Sequence, residues 1–248
     1  MRPKRRPHLF FALISSVYLL SGCQVEAPSS PFEIQKNILG IPSEKSTAYL
    51  LLQPKRAVLI NSGSEPEASQ VIAKLAELKR PISQVHAVFI TAAHPNLSAG
   101  AAKFTSAITY VGTDDYRALR ADKHPKALLP KLQTRLAPRP ATPHAIRVLY
   151  PGDRIQDQGF KIDVIATPGA SRGSVMYLFD EVLFTGDGLY IVDGKPVLPS
   201  SLEVASRSDL QESLSRLVRA KFHTVADGRG HTASLGPKDI ASFIQSLR

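Results

Sequence analysis

Short apolar runs separated by turn residues alternate along this chain with segments of helical period. Ala48–Leu52 and Ala57–Ile60 read as two buried strands around a Gln53-Pro-Lys-Arg56 turn. A helix follows from Ser64: Ser64 and Glu67 have capping-box spacing, and Pro66 suits a first turn. Ala68, Val71, Ile72, Leu75 and Ala76 fall on one face, and Pro81 marks the exit. Ala87–Ile90 is a further strand, followed by a turn over Thr91–Asn96 and small residues suited to close packing. The pattern repeats with strands at Ala107–Val111, Ile146–Tyr150 and Phe160–Ile165, a short helix capped by Thr113–Tyr116, and a hairpin of Val175–Phe179 and Val182–Phe184 turned at Asp180-Glu181. Two amphipathic helices close the chain. Ser208–Phe222 carries Leu210, Leu214, Leu217 and Val218 on one face, and the helix begun by Gly236-Pro237 carries Ile240, Phe243, Ile244 and Leu247.

The N-terminus does not belong to this pattern. Arg2, Lys4, Arg5 and Arg6 precede an apolar stretch, Leu9–Leu20, too short to span a bilayer comfortably. It closes on Leu20-Ser21-Gly22-Cys23, which resembles a bacterial lipobox. That resemblance implies a lipoprotein signal peptide over 1–22 and acylation of Cys23. A simple signal peptide or anchor helix with an incidental cysteine is the other reading. Cys23 is the single cysteine of the 248 residues, so the fold has no internal disulfide and no thiolate ligand. Gln24 rather than Asp follows it, which resembles an outer-membrane sorting signal and implies an envelope protein facing the periplasm. Polar, Pro/Ser-containing sequence reads as a tether over 23–35, leaving 36–248 as one domain.

Charge changes the picture little. Without the signal the formal net charge falls from +10 to +6, moderately basic, and nothing here calls for a nucleic-acid partner. Lys123 to Gly152 holds Lys123, Lys126, Lys131, Arg135, Arg139 and Arg147 without an acid and is broken by prolines. It reads as a solvated loop or flap, or as a contact surface for anionic lipid, lipopolysaccharide or polymer.

The candidate chemistry lies in the turns after the strands. Thr91-Ala-Ala-His-Pro-Asn-Leu-Ser-Ala-Gly100 resembles the T-H-x-H-x-D-H-x-x-G run of the metallo-β-lactamase-fold hydrolases. Asn61-Ser-Gly63 stands where that family has Asp-Thr-Gly. Thr167-Pro-Gly-Ala-Ser-Arg-Gly-Ser174 resembles T-P-G-H-T-x-G-S, Thr185-Gly-Asp187 matches T-G-D, and Gly228-Arg-Gly230 occupies the place of the last G-H-G. The motifs stand in family order from about Thr47 to Leu247. The resemblance implies an α/β fold of αββα four-layer sandwich type, two mixed β-sheets with helices on both outer faces.

It also implies where a two-metal site would lie, and this chain lacks most of it. The ligand positions read Ala92, His94, Asn96, Leu97, Ala170, Asp187 and Arg229, so His94 and Asp187 alone remain. Ala and Leu cannot bind a metal, and a zinc site with work to do needs about three imidazole or carboxylate ligands. The expectation is therefore no tight cofactor and an Asp187–Arg229 ion pair in place of the metal, or else Arg229 in solvent and Asp187 held by loop amides. His94 is expected to be a hydrogen-bonded loop residue. A mononuclear zinc or other divalent-metal site from His94, Asp187 and His231 is the alternative, and a Ser-His-Asp set from Ser171 or Ser98, His94 and Asp187 is a metal-free one. The functional expectation is a pseudoenzyme binding a small-molecule ligand or a protein partner in the envelope, membrane-held through its lipid. The alternative is a metal-dependent hydrolase of an ester, lactone or thioester.

Overall fold

The structure, a computed structural model, describes residues 27–120, 128, 131, 141–157 and 159–247. Cys23 and the signal sequence lie outside the described residues, as does most of the basic stretch after Lys123.

Seven strands form the first sheet in chain order: β1 (Phe32–Gln35), β2 (Ile38–Pro42), β3 (Thr47–Gln53), β4 (Arg56–Ile60), β5 (Val85–Ile90), β6 (Ile108–Gly112) and β7 (Ala145–Leu149). β1 to β4 pair antiparallel, and β4 to β7 pair parallel. The second half of the chain supplies β8 (Arg154–Asp157), β9 (Phe160–Ala166), β10 (Val175–Phe179) and β11 (Val182–Gly186), a separate hairpin of β12 (Tyr190–Val192) and β13 (Lys195–Val197), then β14 (Thr224–Asp227) and β15 (Thr232–Ala233). The second sheet is ordered β15-β14-β11-β10-β9-β8, with β11 and β14 parallel and the other pairs antiparallel. Both sheets are mixed, as expected.

Strand alternation explains why these runs are apolar throughout. Tyr49, Leu51, Val58, Ile60 and Phe89 face inward and meet Ile162, Val164, Tyr177 and Phe184 of the other sheet. Their neighbours Leu50, Leu59, Val88 and Ile90 face outward and are covered by Val71 and Leu75 of α1 (Ser69–Glu77). On the second sheet, Met176, Leu183 and Val225 are covered by Leu210, Leu214 and Ile240. Strands buried on both faces have no polar alternation to show. Besides α1, the helices whose bounds lie among the described residues include the single turns α2 (Pro95–Ser98) and α3 (Tyr116–Leu119), then α4 (Arg207–Ser213), which continues as a 3₁₀ helix over Leu214–Arg219, and α5 (Pro237–Ser246). Among the described residues no helix is long and apolar enough to cross a membrane.

Three local expectations are corrected. Val218, expected on the apolar face of the helix over Ser208–Phe222, is 42% exposed, because that helix tightens to 3₁₀ over Leu214–Arg219 and its face rotates. The helix expected from Ser64 begins at Ser69, because Ala68 turns left-handed (φ 49°) and no side chain caps it. Ser64 Oγ instead meets Ser43 Oγ and the Lys45 amide, and Glu67 pairs with Lys103. The tether expected to reach residue 35 ends earlier, since Phe32–Gln35 is an edge strand paired to β2.

Candidate functional site

The carboxyl ends of β4, β5, β6, β11 and β14 gather at one end of the sandwich and carry the turns in which the motifs lie. Close backbone approach fixes them. A Cβ at Gly186 would lie 2.1 Å from Thr91 Oγ1, and the residue has φ +55°, so the chain needs glycine where the two sheets meet. A Cβ at Gly100 would lie 2.6 Å from the Ser62 carbonyl oxygen. Asn61 Oδ1 accepts from both the Thr91 amide (3.0 Å) and the Thr91 hydroxyl (2.9 Å). That is the bracing an aspartate would give, without its charge.

His94 and Asp187 are brought together. His94 Nδ1 lies 2.8 Å from Asp187 Oδ2, and the side chains are 1% and 7% exposed. Burial alone would lower the His94 pKa, but the hydrogen bond and charge of Asp187, aided by Asp115, outweigh it and raise it. Burial alone would likewise raise Asp187. The hydrogen bond and charge of His94, the Asn96 amide and the field of Arg229 lower it instead. An ionised carboxylate only accepts, so Nδ1 carries the proton. Asn96 Nδ2 is 3.5 Å from Asp187 Oδ2, and the Tyr190 hydroxyl donates to Asp187 Oδ1 at 3.3 Å. Burial, followed by the Asp187 charge, holds the Tyr190 hydroxyl well above its ordinary pKa, so it stays a donor.

The Asp187–Arg229 ion pair expected from the sequence is not formed. Arg229 Nη2 bonds Glu203 Oε1, and the guanidinium carbon lies 3.7 Å from the centroid of the Tyr190 ring. A planar cation is held by an aromatic face and a second carboxylate, and it reaches Asp187 only as a field. The alternative, with Asp187 held by loop amides, is not observed either: its partners are side chains.

The three-residue metal alternative is not assembled. His231 Nδ1 turns to Asp227 Oδ2 (3.3 Å), while Asp227 Oδ1 accepts the amides of Arg229 and His231. Neither is a serine set. Ser98 Oγ donates to the His94 carbonyl, and Ser171 Oγ donates to Asp115. His94 Nε2 is buried without a hydrogen-bond partner among the described residues.

Three of the five lost ligand positions have become core. Ala92, Leu97 and Ala170 are at most 1% exposed, and Ala170 packs in the apolar cluster under α4. Asp115 braces the turns that carry Ala92 and Ala170, accepting from the Ala93 amide (2.8 Å), the Gly173 amide (3.1 Å) and Ser171. The sequence placed Asp115 only as a helix-capping residue and did not single out Tyr190, Glu203 or Asp227. Asp227 directly precedes the Gly228-Arg-Gly230 run, whereas Tyr190 and Glu203 lie outside every motif.

The residues present do not fit a two-metal centre. Among the described residues no three His, Cys, Asp or Glu side chains gather as a metal-holding group. Three ligand positions are apolar and a fourth is a cation. What the arrangement offers is a buried, hydrogen-bonded His–Asp pair with a half-buried arginine beside it.

A family model described as the metallo-beta-lactamase superfamily matches residues 43–223. No curated protein matches the chain by sequence. Among solved structures, the Rm3 metallo-beta-lactamase is 16% identical over 91% of this chain and 96% of its own, with a TM-score of 0.67. BJP-1, a subclass B3 metallo-beta-lactamase of Bradyrhizobium japonicum, is 19% identical over 89% and 91%, with a TM-score of 0.67. A B3 metallo-beta-lactamase described as the first with an active-site glutamic acid is 19% identical over 89% of each chain, with a TM-score of 0.68. At these identities the likeness is one of fold.

Proposed function

The chain belongs to the metallo-beta-lactamase superfamily, and from that premise we propose that it is a non-catalytic member, held in the bacterial envelope by a lipid on Cys23, whose altered site binds a small ligand or a protein partner. The observation that carries this reading is the engagement of the two retained ligand residues with each other. Asp187 has both oxygens occupied by His94, Asn96 and Tyr190. Without a dication, a lone buried carboxylate needs such partners, and an adjacent imidazolium supplies the missing positive charge.

A binding role follows from the same geometry. The pair is fixed by burial, and Arg229 keeps a side chain 36% exposed beside it. The site therefore presents a guanidinium fixed by Glu203 and the Tyr190 ring beside the His94–Asp187 pair, a set of polar groups held in place for a ligand to meet.

One observation favours a second reading. The partnerless Nε2 of His94 suits a hydrolase of an ester, lactone or thioester with one divalent metal held by His94, Asp187 and His231. It requires His231 to leave Asp227.

Calorimetric titration of the mature chain with zinc separates the two readings. Absence of tight one-to-one binding supports the first, and a stoichiometric site lost in Asp187→Ala overturns it. The anchor is tested by Cys23→Ser, which is expected to move the protein from the membrane to the soluble fraction. An unchanged distribution would remove the lipid.

A further inference from the structure

The chain enters the described structure beside the site. Pro28 lies where a Cβ at Gly230 would sit 3.2 Å from its Cδ, and Gly230 follows Arg229 directly. Thr47, at the start of β3, also abuts Gly230, and its amide bonds the Gly228 carbonyl. From there β1 runs to the opposite end, where Gln35 Nε2 donates to the carbonyl and carboxylate oxygens of Asp180. Pro28 and Gln35 thus mark the two ends of the sandwich.

Chain length then limits how the protein can stand on a membrane. Five residue steps separate Cys23 from Pro28, a reach of about 18 Å at full extension. β3, seven residues and six steps long, spans about 20 Å between the two ends, before any loop is added. A chain anchored at Cys23 can lay its site end on the bilayer. It cannot bring the Asp180 end there without stripping β1 from β2.

The site end carries apolar residues suited to that contact. Val197 is 39% exposed and Leu202 51%. Val197 is the strand partner of Tyr190, and Leu202 precedes Glu203, so both border the residues that hold Arg229. Lys195 and Asp193 are both exposed at the turn of the same hairpin, so the rim's contact is apolar rather than electrostatic. Exposed apolar tips suit insertion at the headgroup layer.

We propose that the rim formed by Val197 and Leu202 is a membrane-docking surface, which turns the His94–Asp187 end of the protein onto the bilayer to which Cys23 is tethered. This rests on the lipid anchor proposed above. The site then lies at the headgroup layer, and the opposite end faces away from the membrane.

The chain has no tryptophan, so an introduced one is a sole reporter. The full-length protein is produced in bacteria as Leu202→Trp, as Val197→Trp and as Lys221→Trp. Lys221 is exposed two residues before His223, whose amide bonds the Glu181 carbonyl at the opposite end. Each is reconstituted in phosphatidylethanolamine–phosphatidylglycerol vesicles containing brominated acyl chains, and the mass of its N-terminal peptide is measured. The expected result is an acylated Cys23, with fluorescence of the 202 and 197 reporters blue-shifted and mostly quenched and that of the 221 reporter unchanged. Acylated protein in which the 221 reporter is quenched as strongly as the 202 reporter overturns the orientation while leaving the anchor. Acylated protein with an unquenched 202 reporter does so too, and leaves the rim to a protein partner. An unmodified Cys23 overturns the anchor, and the orientation with it.

Discussion

His94 Nδ1 donates to Asp187 Oδ2 across 2.8 Å in a place where both side chains are buried, so the two residues that survive from a metal site are bonded to each other. The pair joins the end of β5 to the end of β11 and ties the two sheets together at the site. Its hydrogen bond is made away from water, so each side chain depends on the other for its polar contact.

Removing one partner leaves the other charged and unpaired. His94→Ala and Asp187→Ala are each expected to cost about 3–5 kcal/mol in urea unfolding. The double variant should cost clearly less than the sum, because the second substitution removes the charge that the first one orphaned. Strict additivity would show that the two residues act independently.

The pair also sets a pH window. The folded pKa of His94 is raised above 6.5, so its contribution is complete below that value and is lost as pH climbs through the raised one. Asp187 is lowered below 3.8, so its contribution holds above that value and is lost as pH falls through the lowered one. Asp115 is the other charge acting on His94, and Arg229 the other on Asp187. The stability difference between the natural chain and Asp187→Asn should therefore be greatest between these limits and shrink at alkaline pH. Denaturation midpoints measured from pH 4 to 9 check this. A flat difference across the range would contradict it.

Arg229 is held by Glu203 and the face of Tyr190 rather than by Asp187. Arg229→Ala is expected to lose about 1–2 kcal/mol, from the stacked cation and a partly exposed pair. Arg229→Lys should recover little of it, since an ammonium cannot stack as a planar fork does. Thermal melts of the two variants decide, and full recovery by lysine would place the interaction in charge alone.

Asp115 accepts from two backbone amides and a hydroxyl while 4% exposed. Asp115→Ala leaves buried donors unmet and is expected to cost about 3 kcal/mol. Amide exchange should speed at Ala93 and Gly173 ahead of the rest of the sheet. Unchanged protection at those two amides would show that the loops are held by other means.

Much of this was legible in the sequence because the relevant signals are local. The runs around Leu50, Leu59, Val88 and Leu183 announced buried strands, and the glycines at 100 and 186 stand where the backbone allows no Cβ. The edge strand β1 was not legible: half-exposed and short, it reads as polar linker until β2 supplies its partner. The hairpin β12–β13 was not legible either: its strands are three residues each, too short for a period to show. At the site, ligand loss was readable position by position, but the partners of the survivors were not. Whether Arg229 meets Asp187 or Glu203 depends on the loop before α4, which has no motif. The reach of His231 was hidden likewise, since nothing along the chain says that Asp227 takes its ring.

The most direct measurement is the nitrogen-15 spectrum of the His94 imidazole near neutral pH, with and without stoichiometric zinc. The expected result is a proton held on Nδ1 by its bond to Asp187, and no change at either ring nitrogen when zinc is added. A ring nitrogen that loses its proton and shifts with zinc, in a manner abolished by Asp187→Ala, would contradict the account and show a working metal site.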